Sequence, residues 1–398
     1  MKNRYTFLFL AYLLLSTIDC FAQASPWTQK ATFGGPGRHR SFGFSIGNKG
    51  YIGGGWIGGA QTWDDFWEYD PATNTWTQKA AIPTLGILSP TAFAIGTKGY
   101  FVSGLDENLN DNQNLYEYDP LTNVWTAKAP YPGFLSFNYG MEAFVIGTKA
   151  FVGEWGTGNM YIYNQPSNTW VFSTTNFIFN ADEVALTLNG KGYIATAQTG
   201  NQLWRYDPST NTFSQLVTMP AGGMTESSGF VAGGKIYLGT GQWFVDGTRI
   251  KQFWEYNPAT NTWRGVNELP GSERDDATAF SIGNKGYIGT GTNGINMQDF
   301  WEFDPAYVTG VDEGENNLSV TVYPNPIKES ATIEINSPLE RGKGCVFELY
   351  DMQGKCVKQL QITDYKLQIE RGNLNSGTYI YKITSENKLL ATGNLIIQ

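Results

Sequence analysis

The chain has 398 residues, of which 15% are aromatic, 47 are glycine and only 16% are charged. Its formal charge is −9, and its basic residues form no cluster that would track a phosphate backbone, which disfavours nucleic acid as a partner. A single histidine, His39, and three cysteines at positions 20, 345 and 356 leave little room for zinc or thiol chemistry. The length suggests two folded units, and aromatic and glycine enrichment without a helical apolar period suggests short strands and tight turns.

Residues 1–24 read as a secretory signal. Lys2 and Arg4 supply the positive end, Phe7–Leu15 is an unbroken apolar run of nine, and Cys20-Phe-Ala22 and Ala22-Gln-Ala24 both offer small-residue cleavage sites. The run is shorter than the ~20 residues that span a bilayer, so no transmembrane segment is expected. Asp19 stands where a lipoprotein signal carries a small residue, which argues against lipidation at Cys20. Cleavage after Ala24 leaves a net charge of −10, an exported and acidic protein.

One segment then recurs six times. Ile46-Gly-Asn-Lys-Gly-Tyr51 returns as Ile95–Tyr100, Ile146–Phe151, Leu188–Tyr193, Ala232–Tyr237 and Ile282–Tyr287, with successive differences of 49, 51, 42, 44 and 50 between the last positions. Periods near 50 belong to propeller blades. A second element follows each of the first five: Trp67 to Trp76, Tyr116 to Trp125, Tyr161 to Trp170, Trp204 to Phe213 and Trp254 to Trp263, always nine residues apart. Alternating aromatics before Asp70-Pro71 predict a strand that enters a turn, and Asn74 supplies a residue that tolerates the left-handed backbone such a turn needs.

The sixth copy, Phe300–Pro305, lacks its closing strand, while Trp27-Thr-Gln-Lys30 duplicates Trp76-Thr-Gln-Lys79. The gap from Trp27 to Phe44 is 17, within the 16 to 19 found between the other fourth-strand aromatics and the next first strand. The amino-terminal strand is therefore expected to complete the last blade and so protect the edges of the ring.

At these residues the chain resembles the kelch-repeat family over residues 26–308. The double glycine of that family is kept as Gly53-Gly-Gly55, reduced to Gly289-Thr-Gly291 in the last copy and to Ala195-Thr196 in the fourth. The resemblance implies an all-β fold, a six-bladed β-propeller at 25–308. Beyond Phe303 the repeat stops, and 309–317 read as a solvated linker.

Residues 318–398 show short alternating strands at Leu318–Tyr323, Ala331–Asn336, Val346–Tyr350, Cys356–Gln361 and Thr378–Thr384, enough for a small immunoglobulin-like β-sandwich. Tyr323-Pro-Asn-Pro326, Leu349-Tyr-Asp-Met-Gln-Gly-Lys355, Leu374–Ile383 and Gly393–Gln398 resemble the C-terminal sorting domain of the type IX secretion system. That resemblance implies the secretion machinery as a partner and a secreted or outer-membrane-surface location. Cys345 and Cys356 flank the Asp351–Gly354 turn, but pairing about it places Leu349 opposite Cys356, so free thiols are expected.

Chemistry is mostly excluded. Galactose oxidase, a copper-radical enzyme on a kelch propeller, needs a cysteine-modified tyrosine and histidine ligands. The propeller here has no cysteine, so no cofactor and no metal are expected. The Asp-Pro turns at Asp70, Asp119, Asp207 and Asp304 are explained by hairpin geometry rather than calcium. His39, in the loop before the first blade, is expected to be solvated.

Aligned copies place Arg38, Arg40, Glu142, Asp182, Glu183, Glu226, Arg274, Asp275 and Asp276 at the first strands, which line the channel of a propeller, so these charges are expected around its mouth. Trp56, Trp155 and Trp243 lie in loops, where burial is not obligatory. From second-strand to third-strand aromatic the gaps are 16, 16, 10, 11, 17 and 14, so length variation concentrates on the side that carries the charges. Two readings follow: a secreted module that binds a protein or glycan there, or a carbohydrate-active enzyme similar to the kelch sialic-acid mutarotases.

Overall fold

The computed structural model describes residues 25–59, 61–106, 108–133, 141–180, 182–196, 202–219, 223–307, 320–335, 345–351, 355–362, 366–385 and 388–398. The expected secretory signal at 1–24 and the expected linker at 309–317 lie outside the described residues, whereas Pro305–Tyr307 just before the latter is described.

The repeated segments form six four-stranded antiparallel sheets. The first sheet runs Phe42–Ile46, Lys49–Gly53, Phe66–Asp70 and Thr75–Gln78, each strand hydrogen-bonded to the next. The other five begin at Thr91–Ile95, Ala143–Ile146, Val184–Leu188, Ser228–Ala232 and Thr278–Ile282 and repeat that order. In the sixth, Phe300–Phe303 is third, and the fourth strand is Trp27–Gln29, antiparallel with Trp27 opposite Phe303. Trp27 is buried there, with its ring edge-on to Phe253 and Phe303 at 4.9 and 4.8 Å and its indole N–H donated to the Asn267 carbonyl. Among the described residues the only helical element is one 3-10 turn, Pro305–Tyr307.

The constant nine-residue spacing has a mechanical cause. Tyr69 and Trp76 are paired across the hairpin, and Asn74 between them is left-handed at φ 54°. Its Oδ1 accepts from the Tyr69 hydroxyl at 2.8 Å and from the Ala31 amide at 2.9 Å, while the Trp76 indole donates to the Ala31 carbonyl. Each such turn thus holds the segment entering it from the neighbouring sheet. Asn123 and Asn168 repeat all three bonds. The lysine of each Lys-Gly-Tyr segment has a matching duty: Lys49, Lys98 and Lys191 pair with Asp70, Asp119 and Asp207. The repeated lysine and aspartate are therefore two ends of one contact.

Packing between sheets explains the glycine of that segment. A Cβ on Gly50 would lie 2.2 Å from the ring of Phe280, one on Gly99 equally close to Phe44, and one on Gly286 2.1 Å from Phe230. The first-strand aromatic of one sheet fills the hole left by the missing side chain on the second strand of the next. Gly192 receives Phe144 in the same way. The two exceptions keep the fit: Ala150 shares a core with Phe93, and Ile236 packs with the smaller Leu186. First strands accordingly lie side by side, with Phe42–Ile46 against both Thr91–Ile95 and Thr278–Ile282.

The eroded double glycine also has a reason. Its first position is left-handed but is filled by Ser103, Thr240 and Thr290 at φ 63°, 56° and 61°, a tolerable strain. Its second position stays glycine at Gly55, Gly104, Gly241 and Gly291, where φ is 86–101° and a Cβ would press on a backbone carbonyl or strand neighbour.

Residues 320–398 form two further sheets. One orders Val320–Tyr323, Ser330–Ile335 and Lys366–Glu370, and the other Cys356–Ile362, Cys345–Tyr350, Gly377–Ser385 and Lys388–Ile397. Both contribute to one apolar core that includes Ile333, Phe347, Ile369, Ile383 and Leu395. Two strands, Lys366–Glu370 and Lys388–Ile397, go beyond the sequence expectation. A bulge at Leu349/Tyr350 sets Cys356 opposite Tyr350 rather than Leu349, and Cys345 opposite Ile362. Cys356 is a free, exposed thiol.

The interlock can be tested directly. Gly286→Ile is expected to cost at least ~1–3 kcal/mol by overpacking against Phe230. Adding Phe230→Leu, which copies the Leu186–Ile236 pair, should restore part of that loss. Urea unfolding of both single variants and the double variant measures the coupling. Purely additive losses would show that the two side chains do not share one space.

Candidate functional site

Four residues before the first-strand aromatic, or before Leu186 in the fourth sheet, every described copy holds a left-handed residue: Arg40, Ser89, Asp182, Glu226 and Asp276, at φ 49–58°. None is glycine, and each bears a polar side chain. Their backbones join from sheet to sheet, with Ser89 N–H donating to Arg40 O, Arg40 N–H to Asp276 O and Asp276 N–H to Glu226 O at 2.9–3.2 Å. This chain of bonds fixes the side chains at neighbouring points just ahead of the first strands. The first strands of all six sheets line a cavity of about 480 Å³ behind them.

The charges assemble around Arg40. Its Nη2 donates to Glu226 Oε1 at 2.6 Å and its Nε to Asp276 Oδ2 at 2.9 Å. Gln242 donates to the other oxygen of Glu226, and Arg249 Nε to Asp275 Oδ2 at 2.6 Å. Asp182 is near enough to feel Arg40, yet burial still pushes its carboxyl above the usual range. Asp276 is pushed up to about 8 by burial, opposed by Arg40 and reinforced by Glu226, Asp275 and Asp182. Burial raises Glu226 as well.

A second acidic group spans the third and fourth sheets. Burial and then the charges of Glu183 and Asp182 drive Glu142 well above the ordinary carboxyl range. Its carboxylate accepts the backbone N–H groups of Glu183 and Ala185. Its position in the repeat is that of Thr91, Ser228 and Thr278, whose hydroxyls donate to the carbonyls of Met141, Ala277 and Ser41 on the next sheet. Glu142 therefore acts as a strut between sheets. Glu183 takes a bond from Asn180 at 3.0 Å, and burial raises its pKa to about 8. Its Oε2 is buried without a hydrogen-bond partner among the described residues.

Three expected residues sit elsewhere or act differently. Arg38 and Arg274 do not join the mouth. Both are fully buried, and each forks onto a carboxylate, Arg38 onto Asp65 and Arg274 onto Asp299 at 2.6 Å, with further bonds to the carbonyls of Gly54 and Thr290. Removing either aspartate would strand a buried charge, so these arginines are structural. His39 is buried rather than solvated. It rests against Trp56 at 5.1 Å and bonds to Asn296, and burial lowers its pKa, so it is neutral at pH 7.

Trp56 is half-buried, pairing its backbone with His39 and donating its indole N–H to Gly59 O. Trp243 is half-buried against Met224, and Trp155 is 43% exposed. Sequence reasoning missed Gln242, Arg249 and Asn296, which lie in loops of unequal length where the repeat gives no alignment.

The buried acids predict a pH response. Glu183 has a folded pKa of about 8 against an ordinary 4.5, so its contribution is full below about pH 4.5 and is lost as pH rises through about 8. The thermal midpoint should therefore fall across that window. In Glu183→Gln, which cannot ionise, the fall should be smaller. Parallel midpoint curves for the two proteins would remove Glu183 from the account.

No curated protein matches the chain. Residues 321–398 match the model of the secretion system C-terminal sorting domain. That segment holds the two carboxy-terminal sheets and their core, and it is a type IX sorting domain, which implies export to the cell surface or the extracellular space.

Proposed function

We propose that this chain is an exported binding module: a closed six-bladed kelch-type propeller at 25–308, followed by the linker at 309–317 and the sorting domain at 318–398, which takes up an extracellular protein or glycan on one face. Closure is supported by Trp27–Gln29 as the fourth strand of the sixth sheet and by Phe280 seated on Gly50, which joins the sixth sheet to the first. The Gly291 amide adds a bond to the Arg38 carbonyl across the same junction.

The observation that carries the binding reading is the contrast between the two sides of the sheets. Connections between sheets and loops between second and third strands leave an antiparallel four-stranded sheet on the same side. The charged group around Arg40 is there, and so are exposed apolar side chains in these segments: Leu85, Trp155, Ile178, Phe244, Val245 and Ile295, at 43–87% exposure. On the opposite side the hairpin turns spend their polar groups on one another, as in the bonds of Asp70 and Asn74, and the exposed large apolar side chains in the described turns there are Leu121 and Val124 of one hairpin. Apolar tips around a polar centre are the composition of a binding surface.

The Arg40–Glu226 pair keeps the carbohydrate-active enzyme as a second reading, since a carboxyl raised by burial beside an arginine suits proton transfer. Faster interconversion of sialic-acid anomers, followed by proton resonance, would select it over simple binding.

Two experiments test the proposal. Glycan-array and pull-down ligands should be lost on substituting Arg40 or Trp155 and retained on substituting Thr73 or Asn261 at the hairpins. The reverse pattern would place binding on the other face. Truncation after Val311 should trap the folded amino-terminal part in the periplasm of a host with the type IX system. Normal yield in the medium would show that the tail is dispensable for export.

A further inference from the structure

We infer that Glu226, Asp275 and Asp276 form a binding site for one divalent cation of the calcium class, between the fifth and sixth sheets. The inference stands on this side-chain cluster and does not depend on the ligand-binding reading above.

Each of the three residues offers a carboxylate oxygen, and these oxygens lie within 4.8 Å of one another. Two oxygens bound to one calcium ion at 2.3–2.6 Å are separated by at most roughly 5 Å, so the spacing is that of a common shell. The backbone holds it in place, since Asp276 N–H donates to Glu226 O and Asp275 N–H to Thr292 O, both at 3.0 Å. The cluster is built into the fold rather than scattered on flexible side chains.

The second observation is a buried oxygen with nothing to bond. Asp275 is 2% exposed; its Oδ2 accepts from Arg249, while its Oδ1 is buried with no hydrogen-bond partner among the described residues. A buried carboxylate oxygen left unsatisfied costs free energy that a bound cation would recover. Arg40 takes Glu226 Oε1 and Asp276 Oδ2, and Arg249 takes Asp275 Oδ2, so Asp275 Oδ1 is the buried carboxylate oxygen that no arginine bonds. Gln242 bonds the remaining oxygen of Glu226 through an amide whose oxygen can turn toward a metal.

Charge points the same way. The carboxyls of Asp182, Glu226, Asp275 and Asp276 outnumber the guanidinium groups of Arg40 and Arg249, so acidic groups are in excess around the cluster. Oxygen-only donors select calcium over zinc or copper.

The test uses the full chain, stripped with a chelator and titrated with calcium chloride by calorimetry and by competition against terbium luminescence. One equivalent should bind, with the thermal midpoint raised as bound ion favours the folded state. Glu226→Gln and Asp275→Asn should each weaken affinity at least tenfold, while Asp70→Asn, at a hairpin, should bind as the unaltered chain does. Crystals soaked in manganese provide a check free of mutation, with an anomalous peak expected among the three carboxylates. No binding at millimolar calcium, equal affinity in the Glu226 and Asp275 variants, or a manganese peak only elsewhere would each overturn the assignment.

Discussion

A ring on one strand filling a hole on the next is the contact from which the rest of the repeat region follows. Phe44 over Gly99, Phe144 over Gly192, Phe230 over Gly286 and Phe280 over Gly50 bring first and second strands of adjacent sheets closer than any side chain would permit. The stacked partners Phe93–Tyr100 and Phe144–Phe151 show that each ring also packs on its own sheet. Because each sheet gives a first-strand side chain to one neighbour and receives one from the other, with Leu186 in place of a ring in the fourth sheet, a change at one junction is felt by two sheets. Apolar burial here is steric as much as hydrophobic, which is why the repeat conserves a small residue beside a large one.

That close approach also decides where the polar groups go. First strands held side by side bring the residues just ahead of them into hydrogen-bond range, and the left-handed turn at Arg40, Ser89, Asp182, Glu226 and Asp276 links them through the backbone. The side chains at that position are then free to differ, and they do. Arginine in one sheet meets glutamate and aspartate from two others, which produces mutual neutralisation at the centre and raised carboxyl pKa values around it. In the same segments, Arg38 and Arg274 are spent on Asp65 and Asp299 and support the loops that carry the charged group. Scaffold and site are thus alternate residues of one short stretch.

The sorting domain is built on a different plan, with two sheets sharing one core and no repeated unit. Its closing strand, Lys388–Ile397, pairs along Gly377–Ser385, and Ile327 bridges to Ile397, so the last residues are structural members of the domain. Removing them would strip an edge from the four-stranded sheet.

The sequence by itself determined the repeat, the hairpin spacing, the duplicated strand at Trp27 and the sorting motifs, because each is written in local periodicity or turn chemistry. It also placed Arg40, Asp182, Glu226 and Asp276 among the charges around the first strands, since alignment of copies needs no coordinates. Only the tertiary structure decided that Arg38 and Arg274 are buried forks, that Glu142 braces two sheets and that His39 is enclosed by Trp56 and Asn296. Gln242 and Arg249 reached the site from loops with no counterpart in other copies. The physical reason is that a polar group on a loop is exposed or buried according to partners far away in sequence, 257 residues for His39 and Asn296, and one-dimensional pattern carries no record of which group will be its neighbour.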